Sequence, residues 1–286
     1  MTEVELSEFL DKQITENNLF ASYISRDRTF SKPVKKIDEY FTSALVCYFA
    51  PGNIPAIGLV KNTLYGRLKH GLMSFLVEGG YPPDSDTNSV VLALLYESGY
   101  EVSDYINMFW QKLKHYTVEG NIIPVWLSDE RTNRIDPVVI ANVLYLACLS
   151  GYDDLMSENL MYLENYLTKG YWLEGSRYYH SPDSVLFFIW RMLRKCAKEK
   201  SSVSYVLEKA LLQRTGTTWH TLDLAQRVIM SKWAGIDNRV DRQRLRKKID
   251  DSGNIEPDSL FRYGNRDAYF VSPALVYVLF YYANEI

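Results

Sequence analysis

Six times along the chain a helix-start signal precedes a strongly apolar stretch, and this recurrence restricts the fold more than any other feature. The signals fall near Lys36-Ile37-Asp38, Pro83-Asp84-Ser85-Asp86, Ile135-Asp136-Pro137, Ser181-Pro182-Asp183, His220-Thr221 and Ser272-Pro273, roughly 40 to 50 residues apart. Asp or Ser at a cap, with Pro in the first turn, suits the free backbone N–H groups of a helix start. The segments that follow, such as 138–149 and 274–283, are apolar on nearly every face and so belong to a buried layer. Between them lie more polar, amphipathic stretches at 104–115, 154–168, 203–212 and 240–250, which read as an outer layer.

Six such pairs close naturally into a ring. The expected fold is all-α: an (α/α)6 toroid, a barrel of six inner and six outer helices, with residues 1–286 as a single domain. An open solenoid has the same local signals but tolerates any number of repeats. No β pattern is apparent.

Composition limits the partners. Hydrophobic residues make up 47% and charged residues 23%, as in soluble globular proteins. A net charge of −3 gives no reason to expect nucleic acid. The three cysteines (Cys47, Cys148, Cys196) are odd in number and form no CxxC, so neither a disulfide framework nor a zinc site is expected. The N-terminus is acidic where a signal peptide would be basic, and no stretch approaches the roughly 18 apolar residues that span a bilayer. These features read as cytoplasmic. The basic run Arg239, Arg242, Arg244, Arg246, Lys247, Lys248 has the spacing of an exposed outer helix, with peripheral membrane or phosphate contact as its other use.

Aromatic content is unusual: 22 tyrosines, 12 phenylalanines and 6 tryptophans. A helical core explains aromatics inside helices. Here many sit in loops that parallel inner helices would gather at one mouth: Tyr81, Trp126, Trp172, Tyr178, Tyr179, Trp219, Phe261, Tyr263, Tyr269 and Phe270. They form the expected substrate-binding surface, with His180 beside Tyr179. His180 or His220 would serve to activate an acid or collect a final proton, or would be structural.

The most specific segment runs from Gly79-Gly80-Tyr81-Pro82-Pro83 through Asp84-Ser85-Asp86-Thr87 into an apolar helix. Asp84 is the expected N-cap, which puts Asp86 in the first turn near free N–H groups and the positive end of the helix dipole. A dry aromatic pocket pushes the other way and keeps the proton on. An acid that rests protonated beside a prepared anion site is suited to protonating a carbon–carbon double bond. The segment also mimics an EF-hand start, but Ser89 and Leu95 stand where the Gly and Glu are required, so calcium is rejected.

Asp84-Ser85-Asp86-Thr87 resembles the acid motif of the class II terpene cyclases, the squalene–hopene cyclase-like superfamily, in its Asp-x-Asp-Thr form. The chain looks most like the single-domain bacterial cyclases of meroterpenoid biosynthesis. The resemblance implies a terpenoid cyclase-like domain over 1–286 and a protonation-initiated isomerase acting on a prenylated aromatic or linear polyprenyl substrate. Asp86 would be the general acid, with Asp84 and Thr87 its neighbours and Asn142, on a buried helix, a hydrogen-bonding partner. Aromatic faces would stabilise the carbocations by about 2 kcal/mol each when desolvated. Initiation by protonation calls for no metal and no cofactor. Consistent with this, Asp153-Asp154 lacks the later carboxylate of an Asp-Asp-x-x-Asp motif, Ser157 standing in its place.

Two rivals carry different chemistry. An (α/α)6 glycan-active enzyme would use Asp84 or Asp86 with Asp136 as an acid/base pair across an open polar groove. A non-catalytic binding toroid would keep the fold without a cavity beside Asp86, its Asp84 and Asp136 being helix caps only.

Overall fold

A computed structural model supplies the fold and describes residues 1–196, 202–262 and 268–285. Six inner helices follow the six start signals: α2 (Tyr40–Phe49), α4 (Ser85–Glu97), α6 (Pro137–Ser150), α8 (Pro182–Cys196), α10 (Thr221–Trp233) and α12 (Pro273–Glu285). Each packs against the next, and α12 returns to pack against α2. The ring is closed, which distinguishes it from a solenoid. Outside it lie α1 (Glu3–Lys12), α3 (Pro55–Leu68), α5 (Ser103–Tyr116), α7 (Met156–Thr168), α9 (Ser202–Arg214) and α11 (Arg239–Arg246).

Local chemistry sets the inner helices. Asp84 and Asp136 each accept a backbone N–H from the turn they cap. Pro137 then opens α6, and Gly151, at φ 70°, closes it in the left-handed region that glycine enters without cost. The residues between are buried without interruption from Pro137 to Ala147. Their burial against α4 and α8 stabilises a helix that propensity alone would leave marginal.

Three features depart from the sequence reading. A small antiparallel sheet is present, formed by β1 (Ala21–Ser25), β2 (Pro33–Asp38), β3 (Ser259–Arg262) and β4 (Tyr269–Val271) in the order β2-β1-β4-β3. Its strands are too short to show a period-two pattern, and β1 pairs with β4 from the other end of the chain. Lys36-Ile37-Asp38 accordingly belongs to β2, and α2 starts at Tyr40 with the Glu39 carboxylate accepting from the Thr42 N–H.

Cys148 and Cys196 form a disulfide, contrary to the expectation of none, with Cα atoms 5.3 Å apart. They lie on neighbouring inner helices, α6 and α8, so a ring brings together two cysteines that the sequence holds 48 residues apart. The bond removes the support that an odd cysteine count gave to a reducing compartment. Cys47 is free and buried.

Opposite α4 and α6 the core carries buried charge. The Arg227 guanidinium, fully buried, lies 3.2 Å from Asp183 and 3.3 Å from Asp241, while Arg28 reaches Asp223 at 2.8 Å and Asp258 at 2.7 Å. Pairing spares each ion the cost of an uncompensated buried charge. In the basic run, Arg239, Arg242, Arg246 and Lys247 are exposed, whereas Arg244 stacks its guanidinium 4.2 Å over the Trp219 ring. No described helix is long and apolar enough to cross a membrane.

Candidate active site

The turn that carries Asp86 is fixed from two sides. Asp84 Oδ1 accepts the Thr87 N–H at 2.6 Å. The segment 125–127 then binds along it: Ser85 N–H donates to the Val125 carbonyl at 2.8 Å, and Leu127 N–H to the Pro83 carbonyl at 2.9 Å. From the other side, Asn88 donates to the Met73 carbonyl at 2.7 Å and accepts from the Met73 N–H at 2.8 Å. Buried polar groups satisfied in this way leave the backbone of the first turn of α4 one arrangement.

Asp86 follows on that turn, with both oxygens engaged. Oδ1 accepts from Asn142 Nδ2 at 2.7 Å, and Oδ2 accepts from the Tyr179 hydroxyl. Asn142 stands on α6 at 1% exposure, and its Oδ1 accepts from Arg191 Nη1 at 3.0 Å. Tyr179 is placed by the loop ahead of α8. Ser176 Oγ accepts the Tyr179 N–H at 3.1 Å, and the Ser176 hydroxyl donates to Asp136 Oδ2 at 2.7 Å. Asp136 therefore does two jobs, capping α6 and anchoring the loop that delivers the tyrosine.

Burial decides the charge state. It pushes the Asp86 carboxyl up to about 7, against the lowering effect of the Tyr179 and Asn142 hydrogen bonds and with help from the nearby Asp84 and Asp136 carboxyls. Asp84 is likewise pushed up to about 7, again chiefly by burial, and Asp136 moves in the same direction. The Tyr179 phenol is raised well above its ordinary range by burial and by Asp86. His180 is lowered to about 3 by burial and stays neutral.

Asp86 opens onto a cavity of about 510 Å³. Its apolar wall consists of Phe41, Phe75, Tyr81, Trp126, Tyr178, Tyr179, Phe261 and Phe270, with Val125 and Val139. The sheet supplies two of these rings: Phe261 and Phe270 face each other in the β3–β4 register and stack at 4.8 Å. Four arginines, Arg131, Arg134, Arg177 and Arg262, and Thr132 complete the lining. Arg131 lies 4.4 Å over Tyr81 and 5.1 Å over Trp126. The Nε atoms of Arg177 and Arg262 are buried without a hydrogen-bond partner.

Of the residues singled out in the sequence, Asp84, Asp86, Thr87, Tyr81, Trp126, Tyr178, Tyr179, Phe261 and Phe270 are brought together on the wall, with Asn142 directly behind Asp86. Four others are not. Trp172 is buried in the 3-10 turn Tyr171–Glu174, Trp219 is 57% exposed beneath Arg244, and His180 and Tyr269 pack on each other at 5.3 Å, off the cavity wall. Tyr263 lies outside the described residues. Sequence reasoning missed Phe41, Phe75 and the arginines. For Phe41 a signal existed: it is the second residue of α2, the position that Asp86 holds in α4.

No family model matches the chain. Drimenol cyclase drtB of Aspergillus calidoustus is 25% identical over 186 residues, a stretch that covers 64% of this chain and 34% of that protein. The chain thus spans about a third of the length of the curated relative it matches. Among solved structures, the type II terpene cyclase MstE of Scytonema, in complex with geranylgeranyl dihydroxybenzoate as substrate, aligns with a TM-score of 0.69. It shares 13% identity, and the alignment covers 99% of this chain and 97% of that one. The same enzyme in complex with merosterolic acid A, its product, aligns at 0.68 with 13% identity, over 99% of this chain and 95% of that one. A Salmonella enterica protein described as a possible member of the GH105 family aligns at 0.62 with 12% identity, over 100% and 96%. The fold is therefore the (α/α)6 toroid seen in the type II terpene cyclase MstE and in the Salmonella protein, and the sequence relative is named a drimenol cyclase. The choice of chemistry rests on the site.

Proposed function

We propose that this chain is a class II, protonation-initiated isoprenoid cyclase, that residues 1–286 act as one catalytic unit, and that Asp86 is the general acid. The observation that carries the reading is a half-buried carboxyl, pushed up to about 7, in the wall of an aromatic cavity. Asp86 gives its proton to a terminal alkene carbon of the prenyl chain. The O–H bond breaks, a C–H bond forms, and the positive charge is left on the adjacent tertiary carbon. Successive double bonds attack along the folded chain, and loss of a proton from the last cation restores neutrality. The carboxylate left behind is met by the Asn142 and Tyr179 donors, groups in place before charge develops. Phe41, Phe261, Phe270 and Tyr178 face the passing cations and keep water out.

The mouth favours a substrate with an acidic head. Arg177 and Arg262 each bring a buried, unpaired Nε to the cavity edge, and a guanidinium fork suits a carboxylate or phosphate. A prenylated aromatic acid, the substrate type solved with MstE, fits both the rings and the arginines. The glycan reading fits less well, because Asp84 and Asp136 are both engaged as helix caps and the wall beside Asp86 is aromatic.

The test is incubation of wild type and Asp86→Asn with geranylgeranyl dihydroxybenzoate and with neutral geranylgeraniol. Wild type is expected to cyclise the benzoate with the lower KM, and the variant to form no cyclised product. Equal product from both proteins overturns the assignment of the acid.

A further inference from the structure

Behind Asp86, away from the cavity, a polar chain runs through the core of the ring. Arg191 on α8 is 3% exposed and does not line the cavity. Its Nη1 donates to Asn142 Oδ1 at 3.0 Å, while its Nε and Nη2 are buried without hydrogen-bond partners. The guanidinium is held instead by two rings, 4.3 Å over Tyr48 and 4.0 Å over Tyr145. The hydroxyls of those tyrosines meet at 2.7 Å, and Tyr145 donates to Glu97 at 2.8 Å. Glu97 in turn accepts from Lys195 at 2.9 Å, near the surface.

We propose that Arg191 is a positioning residue for the acid: acting through Asn142, it fixes which oxygen of Asp86 carries the proton and stabilises the carboxylate left after transfer. The proposal rests on the cyclase reading only in calling that proton the catalytic one. A carboxamide can ordinarily face either way. A guanidinium only donates, so the carbonyl of Asn142 must face Arg191 and its NH2 must face Asp86. Asn142 is thereby a donor to Oδ1 in every state, and Oδ1 is the carbonyl oxygen of the neutral acid. The proton then resides on Oδ2, the oxygen that meets Tyr179 at the cavity wall. When it leaves, the Arg191 charge polarises the amide that faces the new carboxylate.

Other charges act on Asp86 and must be held constant. Asp84 and Asp136 oppose its ionisation, Tyr179 favours it by hydrogen bonding, and Arg131, Arg134, Arg177 and Arg262 border the same cavity. Arg191 differs from the last four in having no access to substrate, so its loss separates tuning of the acid from binding.

The experiment needs no turnover. The carboxyl stretch of Asp86, isolated by difference infrared spectroscopy against Asp86→Asn, is titrated in wild type, Arg191→Met, Asn142→Leu and the double variant. The Arg191→Met midpoint is expected to rise by about one pH unit, and the double variant to match Asn142→Leu alone. Where substrate is turned over, kcat falls about ten- to a hundredfold with KM unchanged, the weight of one hydrogen bond to a charged group. If Arg191→Met does not fold, Arg191→Gln places a neutral donor there and is expected to shift the midpoint in the same direction. An unmoved midpoint in a folded variant, or an Arg191→Met shift that persists in full on the Asn142→Leu background, overturns the proposal. Failure of wild type to cyclise any prenyl substrate would overturn the cyclase reading and leave the titration result standing.

Discussion

The Tyr179 hydroxyl donates to Oδ2 of Asp86 across 93 residues of sequence, from a loop that precedes one inner helix to the first turn of another. The helices α4 and α8 flank α6, and this packing brings the two together. Removing the hydroxyl tests what the contact does. Tyr179→Phe keeps the ring against Phe41, Phe188 and Phe261, so packing is preserved. The carboxylate formed on proton transfer loses one donor, and kcat is expected to fall about ten- to a hundredfold with KM little changed. Steady-state kinetics across pH checks this, and the alkaline limb of kcat moves to higher pH because Asp86 becomes a weaker acid.

Gly175 controls the same tyrosine from a distance. Its φ is +73°, and a Cβ there would lie 2.5 Å from the Tyr179 carbonyl oxygen and 2.6 Å from His180 backbone atoms. Gly175→Ala must therefore displace the 176–180 loop or distort its own backbone. The variant is expected to melt several degrees lower, for a cost of about 1–3 kcal/mol, and to lose activity through Tyr179. Calorimetry with kinetics decides; a variant with wild-type melting and kcat would show that the loop is slack.

Asp86 has a signature in stability as well. Its folded pKa of about 7 stands above the ordinary 3.8, so the folded state holds the proton more tightly than the unfolded one. The stabilisation from that proton is complete below pH 3.8 and is lost as pH rises through about 7. Asp86→Asn escapes this loss. Between pH 5 and pH 8 its stability is expected to gain on wild type by about 3 kcal/mol, from roughly two units of protonation at 1.4 kcal/mol each. Denaturant melts at the two pH values measure the difference, and a constant gap would show that Asp86 is ionised throughout.

Much of the frame was legible because helix starts are written locally. Asp84, Asp136, Ser181 and Pro273 signal their helices within three or four residues, and their recurrence carries the ring with it. Asp86 was legible as a candidate for the same reason, since its motif is a cap with one extra carboxylate. The sheet was not, because β3 and β4 are only four and three residues long and β4 pairs with β1, far away in sequence. The cavity arginines were hidden as well: Arg131, Arg134 and Arg177 look like ordinary loop charges until the fold turns them inward. Trp219 shows the converse error. A tryptophan beside an inner-helix start suggests a wall residue, yet its ring serves as a platform for Arg244 outside the cavity.

The sheet also dictates an order of events. β4, which carries Phe270 of the cavity wall, is laid between β1 and β3, so the sheet joins residues 21–25 to residues 259–271. A nascent chain that has emerged only as far as α11 holds Asp86 and Tyr179 but lacks Phe261 and Phe270 of the cavity wall. Synthesis must run past residue 271 before this aromatic wall is complete.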